Sequence, residues 1–188
     1  LRWSVGTTHQ PEDVDILDAY PKWEVVLTQM NYLDEYYQTG VMGLDELKRL
    51  NIGSMIMEPL RGGRLVQNIP PEVQKLWDCA EVKRTPVEWA LEYLWNRDDV
   101  DCVLSGMNSL EQVKQNIQIA SNVKEISESD QDLIREVART YKTLTGNECT
   151  SCGYCMPCPE GVDIINCFNE YNIGKMLNNP KGSAMQYF

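Results

Sequence analysis

Four short apolar-leaning runs, each followed by helical periodicity, constrain this chain more than any other feature. The runs are 1–5 (LRWSV), 23–30 (WEVVLTQM), 54–58 (SMIME) and 100–104 (VDCVL). Pro11-Glu12-Asp13 opens a helix through about Ala19, with acids in its first turn, where the helix dipole favours them. Residues 41–50 carry Val41, Leu44, Leu47 and Leu50 at helical spacing, with Gly53 as a stop, and residues 71–81 also read as helix. Thr85-Pro86-Val87-Glu88 is a capping box for a helix through about Asn96, and Ser109 with Gln112 caps another. Ser129 with Asp132 opens a helix to about Tyr141. SMIME is a continuous apolar run of the kind buried on both faces of a parallel sheet. Strands alternating with helices argue a parallel sheet with right-handed crossovers. The expected class is α/β, and four such units are half of a (β/α)8 barrel, which typically needs about 250 residues.

A chain of 188 residues has room for one core and an appendage. Net charge is −11, which argues against nucleic-acid and anionic-membrane partners. No apolar run reaches transmembrane length and no signal peptide opens the sequence. Seven cysteines, four of them clustered, suit a reducing compartment, so the expected location is the cytoplasm. The sequence begins with Leu1 at a strand and reads as a fragment of a longer protein.

The cluster is Cys149-Thr-Ser-Cys152-Gly-Tyr-Cys155-Met-Pro-Cys158-Pro159, set off from the preceding part by Gly146. Soft thiolates at a three-residue step suit a [4Fe–4S] cluster first and zinc second. Disulfides between such close cysteines would be strained. Gly153 permits a tight turn between ligands, and Pro159 stiffens the exit. With only one such run, Cys158 closes the same cluster. Cys167 is the reserve ligand, although a small apolar residue on the helix from about Asp163 is its plainer reading.

At Met57-Glu-Pro-Leu-Arg-Gly-Gly-Arg-Leu65, Arg84-Thr-Pro-Val-Glu-Trp-Ala-Leu91 and Ser105-Gly-Met-Asn-Ser-Leu-Glu-Gln-Val113 the chain resembles the aldo/keto reductase family. Its tail from Cys149 to Ile164 resembles the subgroup with a C-terminal ferredoxin-like domain. The resemblance implies that 1–127 is the second half of the barrel, strands five to eight, and that 128–188 is a helical linker and 4Fe-4S domain. It also implies that the catalytic Asp, Tyr, Lys and His belong to strands one to four, so no catalytic residue is assigned. His9 follows strand five and reads as a loop histidine. In such barrels phosphates bind after strands seven and eight. Those loops are Leu60-Arg61-Gly62-Gly63-Arg64 and Gly106-Met107-Asn108, with Gln112 on the helix beyond. Two glycines would let amides approach a pyrophosphate; a plain turn is the alternative. Thr7 and Thr8 stand where the family often has Ser-Asn at the nicotinamide amide. Leu27 stands at the family's glutamine position, with Gln29 two residues on, on the same strand face. No basic residue for a 2′-phosphate lies between Met107 and Gln112, whereas Gln115 and Asn116 match the family's adenine-contacting pair. NAD(P)H and FMN are the candidate cofactors.

The first functional reading is an oxidoreductase of this type with an iron–sulfur cluster for electron transfer. Its small-molecule substrate and redox partner are not specified by the sequence. A lone half-barrel needs the N-terminal half or self-association to cover its sheet edges. The alternative is a non-catalytic barrel fragment or binding module whose tail is stapled by zinc or a structural cluster. Trp89, Leu91, Leu94 and Trp95 read as helix core, Cys79 and Cys102 as structural, and the acidic stretch from Glu125 to Glu136 as a solvated helix face.

Overall fold

The computed structural model describes residues 4–6, 17, 23–147, 149, 153–176, 181 and 184–185. The expected helix from Pro11 lies outside these residues except for Leu17, which is buried. The described strands are β1 (Ser4–Gly6), β2 (Val25–Gln29), β3 (Gly53–Met57) and β4 (Cys102–Val103). They form one parallel sheet in the order β1-β2-β3-β4, with Ser4 opposite Val25, Gln29 opposite Met57 and Ile56 opposite Val103. The helices are α1 (Gly40–Arg49), α2 (Pro71–Asp78), α3 (Pro86–Trp95), α4 (Leu110–Ala120), α5 (Glu128–Leu144) and α6 (Ile164–Met176). The chain divides into two units, 1–67 with 81–132, and 68–80 with 133–188.

In the first unit the sheet faces differ. Val26 and Thr28 of β2, with Ser54 and Ile56 of β3, are buried, while Leu27, Gln29, Met55 and Met57 on the opposite face are only half-buried. The SMIME run therefore alternates rather than being buried on both faces. The buried face is the one toward α1, where the Thr28 and Thr39 hydroxyls hydrogen-bond. Leu44 and Leu47 of α1, one turn apart, are buried as the periodicity required.

Helix α3 begins at the predicted capping box: Thr85 accepts from the Glu88 amide at 3.2 Å, and Glu88 accepts from the Thr85 amide at 2.6 Å. It is buried from Trp89 through Leu94, with Trp95 half-buried. That run contains Glu92, which is fully buried. A buried carboxylate needs a partner, and Arg84 supplies it. The Arg84 side chain is wholly buried; Nε donates to Glu92 at 2.7 Å, one terminal nitrogen to Asp130 at 3.1 Å and the other to the Glu125 carbonyl at 2.7 Å. The guanidinium also lies 4.5 Å from the centre of the Trp89 ring. Asn96 donates to the Lys124 carbonyl and accepts from the Ile126 amide, closing the same segment onto α3. The acidic stretch is thus not wholly a solvated face, because Asp130 is a ligand of this knot. The cap of α5 also differs from expectation: Ser127, not Ser129, accepts from the Asp130 amide at 3.1 Å, and Asp130 accepts in return from the Ser127 amide.

Strand β4 is shorter than the run VDCVL, and Cys102 is exposed rather than buried. Two residues of ladder leave its outer side uncovered among the described elements, and burial fails with it. Cys79, at the end of α2, is also exposed. Helix α4 buries only Ile119; Leu110 and Ile117 are 61% and 60% exposed. In the second unit Val73 and Trp77 of α2 are buried, as are Ile134, Val137 and Tyr141 of α5 at helical spacing.

Two outcomes follow from this arrangement. Arg84→Ala leaves Glu92 buried without its cation, and urea unfolding should show a loss of about 3–5 kcal/mol. Adding Glu92→Leu to Arg84→Met should recover most of that loss. Burial pushes the Glu88 carboxyl up, but hydrogen bonds from Lys124 Nζ and Thr85 outweigh it, so its pKa sits below the ordinary carboxylate value. A lowered native pKa stabilises above the unfolded value and is lost as pH falls through it. The melting-temperature gap between the wild type and Glu88→Gln should therefore close from pH 7 towards pH 3.

Candidate functional site

Strand register sets the ends of β2, β3 and β4 side by side, so the loops that leave them share one rim. This is the strand end at which α/β sheets place ligands. Loop 58–67, after β3, is the most contorted part of that rim. Glu58, Arg61, Gly62 and Gly63 all have positive φ, at 56°, 51°, 62° and 84°. For the two non-glycine residues this conformation costs about 1–2 kcal/mol each. The glycines adopt it without a Cβ penalty.

Side chains from the end of β2 hold the contortion. Asn31, fully buried, donates to the Glu58 carbonyl at 3.1 Å and to Asp34 at 3.0 Å, and its oxygen accepts from the Leu33 and Asp34 amides. Arg61 pairs with Asp34 at 3.1 Å, and Gln29 donates to the same carboxylate at 3.4 Å. Thus Gln29 and Arg61, both expected at a cofactor, meet at Asp34 instead. Asn31 and Asp34 were not singled out from sequence. The signal was an asparagine three residues before an aspartate directly after a strand, a pattern that closes an Asx turn.

The amides of Arg61, Gly63, Arg64, Leu65, Val66 and Gln67 bond to carbonyls within the loop. Gly62-Gly63 therefore serves a turn, and most of the amides expected to approach a pyrophosphate are engaged. Leu60 is half-buried, and Arg64 is exposed with its charge at the rim.

Beyond β4, Gly106 has open space around it, and Met107 and Asn108 are exposed. Ser109 accepts from the Gln112 amide at 3.3 Å, and the Gln112 side chain accepts from the Asn108 amide at 2.9 Å. Asn116 donates to the Ser105 hydroxyl at 3.0 Å, whereas Gln115 is exposed. Gln112 and Asn116 brace this loop before any ligand arrives. Thr7, Thr8 and His9 lie outside the described residues.

Tyr93 is the buried tyrosine nearest to an acid–base arrangement. Its hydroxyl donates to Glu35 at 2.5 Å and accepts from Arg97 at 3.4 Å. Burial, then the Glu35 charge, pushes its pKa well above the ordinary phenol value. A hydroxyl held that firmly protonated is a structural donor rather than a proton source at neutral pH.

The second unit contains the cysteine run. Cys149 and Cys158 are half-buried, Cys155 is exposed, and Cys152 lies outside the described residues. Gly153 has φ 82° and its carbonyl accepts from Met156, which is the expected tight turn. Gly161, φ 71°, donates to the Cys158 carbonyl. Asp163 caps α6 by accepting from the Asn166 amide at 3.1 Å, and Cys167 is half-buried on that helix. Among the described residues no three His, Cys, Asp or Glu side chains converge on a point that would hold a metal ion. The donor chemistry is that of a soft metal or an iron–sulfur group. Also among the described residues, no helix is long and apolar enough to cross a membrane.

No protein-family model matches the chain, and no curated protein matches it. Among solved structures it is similar to aldo-keto reductase AKR11C1 from Bacillus halodurans in its holo and apo forms. Each match has a TM-score of 0.56 and 19% sequence identity over 69% of this chain. The aligned part covers 48% of the holo chain and 49% of the apo chain, so the present chain spans about half the length of the structures it matches. At this identity the likeness is one of fold: the parallel sheet and its helices resemble part of an aldo-keto reductase fold.

Proposed function

We propose that the chain is part of an oxidoreductase of the aldo/keto reductase type, joined to a [4Fe–4S] module held by Cys149, Cys152, Cys155 and Cys158. The observation that supports this reading is the rim where β2, β3 and β4 end together, in a fold shared with solved aldo-keto reductases. NAD(P)H, if bound there, would supply hydride; FMN, bound instead, would supply the conversion between two-electron and one-electron transfer. The chain's own contribution is a braced rim. Asn31 and Asp34 fix loop 58–67, Gln112 and Asn116 fix the loop after β4, and Arg64 offers an exposed positive charge for a phosphate. The cytoplasm is the proposed location, and a small-molecule carbonyl compound the proposed substrate class.

The half-buried face of Leu27, Met55 and Met57 and the exposed apolar residues of α4 favour a covering partner. In this reading the partner is the N-terminal half of the barrel or a second copy, completing the rim and supplying the catalytic tetrad. A second reading, a non-catalytic fragment with zinc in its tail, is favoured by the loop amides already engaged in turns.

Two measurements separate these readings. Protein purified without oxygen should contain about four irons and four sulfides per chain and bleach on reduction, and Cys155→Ser should lose most of both. Colourless protein with one zinc would overturn the cluster. For the cofactor, Arg64→Ala should weaken binding of NADH or FMN about tenfold or more, the scale of a lost charge-assisted contact. Arg61→Ala should weaken it less, because Arg61 is already paired with Asp34. Equal affinities in wild type and both variants would remove the phosphate role of this loop.

A further inference from the structure

Loop 58–67 carries a carboxylate where a phosphate site would need a donor. Glu58 leaves β3 in the left-handed region, at φ 56°, although Pro59 follows it and restricts its backbone further. Its carbonyl is pinned by two donors, the Arg61 amide at 3.0 Å and the Asn31 side chain at 3.1 Å. Its side chain is exposed, with no hydrogen bond or ion pair among the described residues. It lies over its own loop: Oε2 is 3.9 Å from the place where a Cβ on Gly62 would stand. Gln67 Nε2 is 3.3 Å from the corresponding place at Gly63. Both glycines are thus covered by side chains of the loop itself. Gly62 matters more, because its amide alone, between residues 61 and 67, has no hydrogen-bond partner among the described residues. The one amide left for an anion therefore has a carboxylate beside it. Arg61 does not offset that charge, since its guanidinium is paired with Asp34 at 3.1 Å.

We infer that Glu58 is a specificity residue of the rim: its charge keeps phosphate off the Gly62 amide, so that a nucleotide bound here sets its phosphate on the exposed Arg64 and a neutral, hydroxyl-bearing part against Gly62. The inference rests on the reading of this rim as a nucleotide site. Like charges a few ångströms apart near a protein surface repel on a scale of about tenfold in affinity. A carboxylate accepts readily from a neutral hydroxyl, so the same side chain rejects one part of a ligand and tolerates another. A residue held in a strained conformation at the strand end where ligands bind is suited to such a role.

The test measures binding of NADH, FMN and riboflavin, which is FMN without its phosphate, to the full chain by calorimetry. Glu58→Gln keeps the shape of the side chain and removes its charge. It should tighten NADH and FMN about tenfold and leave riboflavin unchanged. The gain should fade between about 0.01 M and about 1 M salt, as the screening length falls from about 30 Å to about 3 Å. Glu58→Asp keeps the charge and should show no such gain. Unchanged or weaker binding of NADH and FMN by Glu58→Gln overturns the inference. So does an equal gain for riboflavin, or a gain indifferent to salt, since a loosened loop and not a removed charge would then be the cause. If neither NADH nor FMN binds the wild type or Glu58→Gln, the nucleotide reading of the rim fails, and the charge filter with it; binding that Glu58→Gln leaves unaltered defeats the filter alone.

Discussion

The first unit depends on one cation placed where water cannot reach it. Arg84 has no exposed side-chain surface, and its charge is matched by Glu92 and Asp130 rather than by solvent. Burying ions is expensive, and only a full set of hydrogen bonds makes it tolerable. Here that set is nearly complete: two carboxylates, the Glu125 carbonyl and the face of Trp89 surround the guanidinium. Lysine could not reproduce it, because one ammonium cannot address three separated acceptors in a plane. The knot also fixes register. It joins the residue before the α3 cap, the second turn of α3 and the first turn of α5, so α3 and the distant start of α5 must arrive together.

The same economy governs the rim. Polar side chains at the strand ends are directed inward, at the backbone, before they are directed at any ligand. Asn31 is fully buried and gives the Glu58 carbonyl a second donor beside the Arg61 amide. Asp34 then gathers Gln29, Asn31 and Arg61. A rim braced in this way reorganises little when a ligand binds, which favours affinity through preorganisation. It also means that residue type at a strand end is a poor guide to ligand contact. Arg61 and Arg64 are equivalent in the sequence pattern, yet one is bound in an ion pair and the other is exposed.

That difference shows which parts of the molecule were legible in the sequence. Local signals were read correctly where short-range hydrogen bonds decide the outcome. The Thr85–Glu88 box, the Ser109 cap, the Gly153 turn and the parallel order of the strands all follow from spacing. Misreadings occurred where a distant partner decides. Nothing near Glu92 announces that a helix otherwise made of core residues will bury a carboxylate, and nothing near Asp130 announces Arg84, 46 positions away. Ser127 and Ser129 each have an aspartate three residues on, so spacing alone does not choose the cap; Asp130, the acid after Ser127, is the one that Arg84 holds. The apolar run around Cys102 suggests burial. Burial, however, is a property of what covers a strand, and β4 is an edge among the described elements.

That edge carries the remaining physical imbalance. A parallel sheet is ordinarily covered on both faces, since its crossovers place helices against it or a closed barrel fills its interior. Here the face carrying Leu27, Met55 and Met57 is half-buried, and the helix beyond β4 keeps Leu110 and Ile117 largely exposed. Isolated surface leucines mean little, but among the described residues a half-buried sheet face beside a helix with exposed Leu110 and Ile117 is a different matter. Packing that covered these residues would enclose Leu27, Met55 and Met57 beside the rim loops. The chemistry proposed for the rim and the packing deficit of the sheet therefore have the same remedy. Covering the face would stabilise the fold, and the same step would enclose the rim proposed as the binding site and lower its dielectric.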